Sequence, residues 1–491
     1  YNSKGGSRSD RFNMTASIAT VAFSGMETIP IEVQVQIASG LPAFTVVGLP
    51  DKAVGESRER VRAALHAIGL ALPAKQVTVN LAPADLAKEG SHFDLPIALG
   101  LLTAMGILDA EMASGAVVLG ELALDASIRP VGGVLPAAVH AAEKEFSVIV
   151  PAEQGREACW AGEVEVLAPR DLLQLINHFK GVQVLSPPRL GEEDDQAAPE
   201  PVRDLSAVKG QASAKRALEV AAAGGHNLLM IGPPGSGKSM LASCLPGILP
   251  RLSAREALEV SMIHSLAGTL PDAGLVTNRP FRDPHHSASL PALAGGGHKV
   301  RPGEISLAHH GVLFLDELPE FRRDAIESLR QPLETGETLI ARANAHARYP
   351  ARFQLIAAMN PCRCGFISDP ERACSRAPKC GVEYQDKLSG PLLDRIDIHV
   401  EVPAVTMADL TEGESGDSSA VVAGRVETAR ESQAERFEIL GLSVDKGTTN
   451  AVIPAENLED AVRLDVAARE MVVQAGERFK LSARAYHRVL R

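Results

Sequence analysis

Aromatic residues are scarce in this chain, with one Trp, four Tyr and thirteen Phe among 491 residues. So few rings argue against extensive stacking on nucleic-acid bases. Cysteine is also sparse: there are six, four of them between residues 362 and 380, a poor basis for a disulfide framework in a chain this long. Long hydrophobic runs are missing. The longest, from Ile97 to Leu108, is shorter than the roughly 20 residues that span a bilayer and suits a buried helix. Positive charge is in deficit, with 49 Lys and Arg against 61 Asp and Glu, a net charge of −12. This excludes a protein coated in positive charge for nucleic acid, but not a local basic surface such as the lining of a ring. No secretory signal is visible, and residues 1–13 read as a disordered tail or expression remnant ahead of Met14. A cytoplasmic protein with reduced thiols and no membrane partner is the expectation.

The length allows two or three domains. A seam of prolines and acids, "SPPRLGEEDDQAAPEP", marks a linker over 186–201. Before it, 14–185 mixes alternating strands with helices. After it, 202–403 reads as an α/β core, 404–424 as an acidic loop and 425–491 as a helical lid. No internal repeat is visible.

The most specific motif is "NLLMIGPPGSGKSMLA". An apolar strand runs into Gly232, Pro233, Pro234, Gly235, Ser236, Gly237, Lys238 and Ser239, and a helix follows. The glycines let backbone N–H groups curl around phosphates. Lys238 brings a charge to the β/γ oxygens, and the Ser239 hydroxyl reaches Mg2+. "GVLFLDEL" ends a second buried strand on Asp316, an Mg2+ ligand, and Glu317, which would polarise the attacking water. A third strand, "FQLIAAMN", ends on Asn360. Arg395 in "LSGPLLDRIDIHVEV" and Arg484 in "LSARAYHRVL" follow. Either arginine alone would pass for a solvated helix residue.

In this order the motifs resemble those of an AAA+ ATPase: Walker A, Walker B, a sensor 1 asparagine, an arginine finger and a sensor 2 arginine. The resemblance covers 202 to the C-terminus. It implies ATP and Mg2+, and a homo-oligomeric ring, commonly a hexamer, in which the finger reaches a neighbour's nucleotide. "VKGQASAKRAL" is similar to the segment flanking the adenine, which puts Val208, Gly210 and Gln211 near the base. The insert "NRPFRDPHHSASLPALAGGGHKVRPGEISLAHHG" and the hairpin sequence "LETGETLIARA" are close to those of magnesium-chelatase-like AAA+ proteins of the ComM (YifB) family. That resemblance implies a DNA motor of the helicase or branch-migration type, acting on single-stranded or branched DNA in recombination during natural transformation. Insertions of this kind line the ring pore, so Arg279, Arg282, Lys299 and Arg301, set against Asp283 alone, are expected to contact DNA. The other readings of that basic loop are a solvated turn and a subunit contact. His285 and His286 read as metal ligands or as hydrogen-bonded structural residues. A chelatase-type motor subunit and a protein-remodelling ATPase are the alternative functions.

Two further stretches of the N-terminal part, "LAKEGSHFDLPIALGLLTAMG" and "LGELALDASIRPVGGVLPAAVHAAEKEF", resemble the α+β proteolytic domain of Lon proteases. A Ser–Lys pair would be needed for that chemistry. The two positions hold His92 and Leu135, and Ser91 lacks an activating lysine at Leu135. The resemblance therefore implies assembly or partner binding without proteolysis. Finally, Cys362, Cys364, Cys374 and Cys380 have the spacing C-x-C-x9-C-x5-C. This is not a standard pair of C-x-x-C knuckles, yet it can close around a tetrahedral Zn2+. Unligated cysteines in a loop are the alternative. Cys159 and Cys244 are isolated.

Overall fold

The computed structural model describes residues 15–189, 203–271, 274–297, 300–342, 345–367, 371–407, 411, 416–442 and 449–491. The tail 1–13, most of the 186–201 linker and Lys299 lie outside these residues.

Alternation builds the first sheet from strands β1 (Thr15–Ser24), β2 (Glu27–Ala38), β3 (Ala43–Val47), β4 (Gln76–Ala82) and β5 (Ala116–Val118). A two-residue hairpin of β6 (Glu121–Leu122) and β7 (Ile128–Arg129) follows, then β8 (Ser147–Ile149) and β9 (Val166–Leu167). In β2, Ile31, Val33 and Val35 are buried while Glu32 and Gln36 face outward, the period-two pattern of a half-buried strand. The seven-stranded order is β3-β4-β2-β1-β5-β8-β9. Helices α1 (Lys52–Ala67), α2 (Asp94–Ala104), α3 (Val134–Glu143), α4 (Gly155–Cys159) and α5 (Leu172–Phe179) accompany it. The apolar run noted in the sequence is α2, buried almost all round. It lies tight on β2 because Gly100 has no side chain: a Cβ there would stand 2.7 Å from Val35 Cγ2. This is an α+β domain.

The second unit opens with α6 (Ala212–Gly224), β10 (Leu228–Ile231), α7 (Lys238–Cys244) and α8 (Ala254–Ala267). Strand β11 (Phe281–Arg282), helices α9 (Leu290–Ala294) and α10 (Glu304–Leu307) and strand β12 (Val312–Leu315) continue it. Next come α11 (Arg323–Glu327), α12 (Pro332–Thr335), a hairpin of β13 (Glu337–Arg342) and β14 (Ala345–Pro350), and β15 (Gln354–Met359). Helices α13 (Lys379–Gln385) and α14 (Gly390–Leu393) lead to β16 (Ile398–Glu401). The sheet order is β11-β12-β15-β10-β16, parallel throughout. Strands β12 and β15 are buried at every position. They read as unbroken apolar runs because helices cover both faces of a parallel sheet. The C-terminal helices α15 (Ser419–Ile439), α16 (Leu458–Val462), α17 (Val466–Phe479) and α18 (Ala483–Leu490) form the lid.

The two units grip each other at two places. At one, Ser265 at the end of α8 meets α3 and α4. The Ser265 hydroxyl donates to Glu157 at 2.5 Å, and the Ser265 carbonyl accepts the Gly133 N–H at 3.0 Å. Burial holds the Glu157 carboxyl above its usual range, against the pull of its bonds from Ser265 and Gln154. At the other, the β1–β2 turn presses on β14. Ser24 Oγ donates to the His346 carbonyl at 3.0 Å, and Met26 packs with Ile340, Ala347 and Tyr349. Gly25 has a φ of +66°, and a Cβ on it would collide with the backbone of Arg348. Overpacking of that kind costs about 1–3 kcal/mol. Gly25→Val should therefore speed amide exchange across β13 and β14 by about tenfold or more. Unchanged exchange would show that this turn does not restrain the hairpin.

Candidate active site

Strand β10 carries the chain to Gly232 at the C-terminal edge of the parallel sheet, where α/β folds bind ligands. Gly235 and Gly237 have φ values of +76° and +89°, and a Cβ at either would meet open space. These left-handed turns swing backbone N–H groups into an anion-binding concavity. The Lys238 ammonium lies across that loop. It donates to the carbonyls of Gly232 and Pro233 at 2.8 and 2.9 Å and to Asn360 Oδ1 at 3.3 Å. Burial pushes its pKa down, and the carboxylates of Asp316 and Glu317 oppose this. The Ser239 hydroxyl donates to Asp316 Oδ2 at 2.6 Å, so two hard oxygen donors stand side by side, as a Mg2+ site requires. Glu317 sits at φ +52°, with His286 Nδ1 3.5 Å from its Oε2. His285 instead bonds the Ser287 hydroxyl at 2.8 Å. Val208 is buried, and Gln211 donates to the carbonyls of Ser236 and Pro403 at 3.2 and 2.7 Å. The segment with Val208, Gly210 and Gln211 is thereby tied to the phosphate loop. The residues present fit a nucleoside triphosphate and a divalent cation.

Arg395 is not in this cluster. Its carbonyl accepts from Asn227 Nδ2 at 2.9 Å, and Asn227 immediately precedes β10, whereas Gly232 follows it. Arg395 therefore sits at the N-terminal edge of the sheet and Lys238 at the C-terminal edge. Its guanidinium donates to Glu334 Oε2 at 2.6 Å, and that of Arg484 donates to Glu334 Oε1 at 2.8 Å. Arg395 foremost, with Arg484, holds the Glu334 carboxyl below its usual range. Arg484 is thus paired with Arg395 through Glu334 and not placed beside Lys238 of its own chain. Glu334 had no local signal in the sequence, since its partners lie 61 and 150 residues away.

The arginines of the basic insert differ in their surroundings. Arg279 is nearly buried, ion-paired with Glu256 at 3.3 Å and bonded to the carbonyls of Pro250 and His310. Arg282 makes a two-pronged bond to Glu304 at 2.6 and 2.9 Å. Both cations are paired inside the chain, which leaves less of their charge for DNA phosphates. Arg301 is exposed. It lies beside the hairpin, since its neighbour Val300 accepts the Tyr349 hydroxyl at 3.2 Å. On that hairpin Arg348 is exposed too.

Among the described residues, two clusters present metal-type donors, and only one of them suits a metal. Donor atoms of Glu259, His309 and His310 lie within 4.8 Å of one another. However, His309 Nδ1 accepts the Arg352 backbone N–H at 3.0 Å. A neutral imidazole with that acceptor carries its proton on Nε2, which then donates to Glu259 and has no lone pair for a metal. Burial keeps this ring neutral, lowering its pKa to about 4. The sulfurs of Cys362, Cys364 and Cys380 also lie within 4.8 Å of one another, and there no such conflict arises.

In the N-terminal domain, His92 is buried with Nε2 3.0 Å from the Val21 carbonyl, and the Leu135 side chain is fully buried. The Ser91 hydroxyl donates to the Glu121 carboxylate. Neither dyad position offers a serine or a lysine.

A parallel sheet carrying a phosphate loop, an acid pair and a polar third strand end defines the class as a P-loop ATPase of the AAA+ type. Residues 204–410 match the family described as magnesium chelatase, subunit ChlI, and 416–491 match its C-terminal family. Residues 33–154 match the family described as subunit ChlI of Mg-chelatase. The chain is 42% identical to competence protein ComM of Haemophilus influenzae over 479 residues, 97% of this chain and 92% of that protein. It is 43% identical to YifB of Escherichia coli over 480 residues, with the same shares covered. A magnesium-chelatase 38 kDa subunit of Rhodobacter capsulatus is 29% identical over 192 residues, 35% of this chain and 54% of that protein. The chain belongs to the ComM (YifB) family of magnesium-chelatase-like AAA+ ATPases.

Two substitutions should separate binding from chemistry. Lys238→Ala removes the amine that bridges loop and Asn360, and should weaken ATP binding about tenfold or more, the loss of one charged hydrogen bond. Glu317→Gln should keep ATP affinity and abolish steady-state turnover. Calorimetric binding beside a phosphate-release assay checks both.

Proposed function

We propose that this chain is the subunit of an ATP-driven homo-oligomeric ring, commonly a hexamer in such proteins. It works in the cytoplasm on single-stranded or branched DNA as a helicase or branch-migration motor, in recombination during natural transformation. The observation that carries the ring is the separation of Arg395 and Arg484 from Lys238 across the sheet. Arginines at one edge serve a nucleotide held at the opposite edge of a second copy, where an arginine finger supplies roughly 10³–10⁵ in rate. Lys238 and the loop amides hold the triphosphate, Ser239 and Asp316 hold Mg2+, Glu317 orients and deprotonates water, and Asn360 senses the γ-phosphate. The bound Mg2+ supplies charge neutralisation at the phosphates. A structural Zn2+ at the cysteines completes the cofactors.

The DNA reading is supported by the name of the Haemophilus relative, a competence protein that matches nearly the whole chain. The chelatase subunit matches only about a third of it, which favours the DNA motor over metal insertion. Exposed Arg301 and Arg348 beside the hairpin are the contacts now expected, together with Lys299.

The test is ATP turnover with and without single-stranded and forked DNA. Stimulation by DNA is expected, with affinity falling at a log–log salt slope of about −0.7 per neutralised phosphate on a single strand. Replacing Lys299, Arg301 and Arg348 with alanine should flatten that slope and remove stimulation while basal turnover persists. Turnover indifferent to every DNA form would contradict the DNA motor and favour a remodelling ATPase.

A further inference from the structure

The thiol cluster adjoins the nucleotide site. Cys362 follows Asn360 by two residues and is fully buried. Its sulfur stands 3.1 Å from that of Cys364, and Cys380, in the first turn of α13, joins them. Cys374 lies near Cys364 and Cys380 at the edge of this three-sulfur group. Thiolates about 2.3 Å from a tetrahedral Zn2+ stand about 3.8 Å apart, a spacing this cluster reaches with small shifts. The backbone N–H groups of Phe366 and Cys374 point at the Cys364 sulfur. Four thiolates cannot ionise together without a cation among them. All six cysteines are free thiols.

The cluster is also braced against the phosphate loop. Gly365, at φ +84°, lies so close to Pro234 that a Cβ would stand 2.5 Å from Pro234 Cδ. Gln385, at the end of α13, donates to the Pro361 carbonyl at 3.3 Å. Asn360 in turn accepts from Lys238. The knuckle therefore joins the sensor strand end to the phosphate loop from behind.

We propose that Cys362, Cys364, Cys374 and Cys380 bind one Zn2+, and that this ion holds Asn360 and Pro234 in fixed relation, so its presence sets hydrolysis more than ATP affinity. The metal half stands on the sulfurs alone. The control of hydrolysis rests on the ATPase reading above. Binding releases the thiol protons and forms four Zn–S bonds, with no redox change.

Protein made without a histidine tag should carry one equivalent of zinc per chain. Co2+ exchanged into the site should give the thiolate charge-transfer and visible bands of tetrahedral cobalt. Cys362→Ser with Cys364→Ser should lose both signals. The zinc-free protein should bind ATP within about threefold of the native affinity while turnover falls about 10- to 100-fold, the scale of lost metal support. To separate loss of the metal from misfolding of the cysteine variant, Gly365→Val is the second probe: it keeps all four thiols and the cobalt spectrum, yet displaces Pro234 and should lower turnover similarly. Absence of zinc together with a featureless cobalt spectrum would overturn the site. A zinc-free protein and a Gly365→Val protein that both turn over normally would overturn the control. A native protein that hydrolyses no ATP would instead defeat the ATPase reading and, with it, the control, leaving the cobalt spectrum to decide the metal.

Discussion

A parallel strand of four residues is about 13 Å long, and β10 puts that length between the two halves of one hydrolytic apparatus. Asn227 anchors Arg395 at its start, and the phosphate loop begins at its end. A side chain cannot bridge that gap around its own sheet. In the proposed ring, the polar residues of each chain would serve two different sites, one at each edge of the sheet. Glu334 keeps the two arginines together on one carboxylate, so they are presented as a unit.

The same economy explains the N-terminal domain. Its dyad positions hold a buried imidazole and a buried leucine, yet its β1–β2 turn is held on the hairpin and its helices α3 and α4 on the end of α8. Helix α8 also carries Glu256, which neutralises Arg279, and its continuation leads into the insert. A domain so placed is mechanically continuous with the elements expected to meet DNA. Zinc at the knuckle would play the matching part on the other side of the phosphate loop.

The nucleotide site was legible in the sequence because its chemistry is written into the backbone. Glycines that must adopt positive φ, a strand before them and a helix after them leave few alternatives, and Lys238, Ser239, Asp316 and Asn360 converge as their order implied. The alternating Ile31, Val33 and Val35 and the unbroken "VLFL" likewise marked a half-buried strand in a mixed sheet and a fully buried strand in a parallel one. Long-range pairing was not legible. The partners of Arg279 and Arg282 were not legible because Glu256 and Glu304 lie 23 and 22 residues away in sequence. The convergence of Arg484 on Glu334 was invisible for the same reason, as was the bracing of Gly365 against Pro234. Sequence reports which charges exist; only the fold assigns their partners.

The shared site is tested most directly by complementation between two inactive subunits. Arg395→Ala keeps an intact phosphate loop and Glu317 but offers no finger. Glu317→Gln offers a finger but has a dead site of its own. Mixed assemblies, verified by native mass spectrometry, should regain part of the ATP turnover, because finger and loop then meet across an interface. Mixed assemblies that form and remain inactive at every ratio would contradict a site built from two chains.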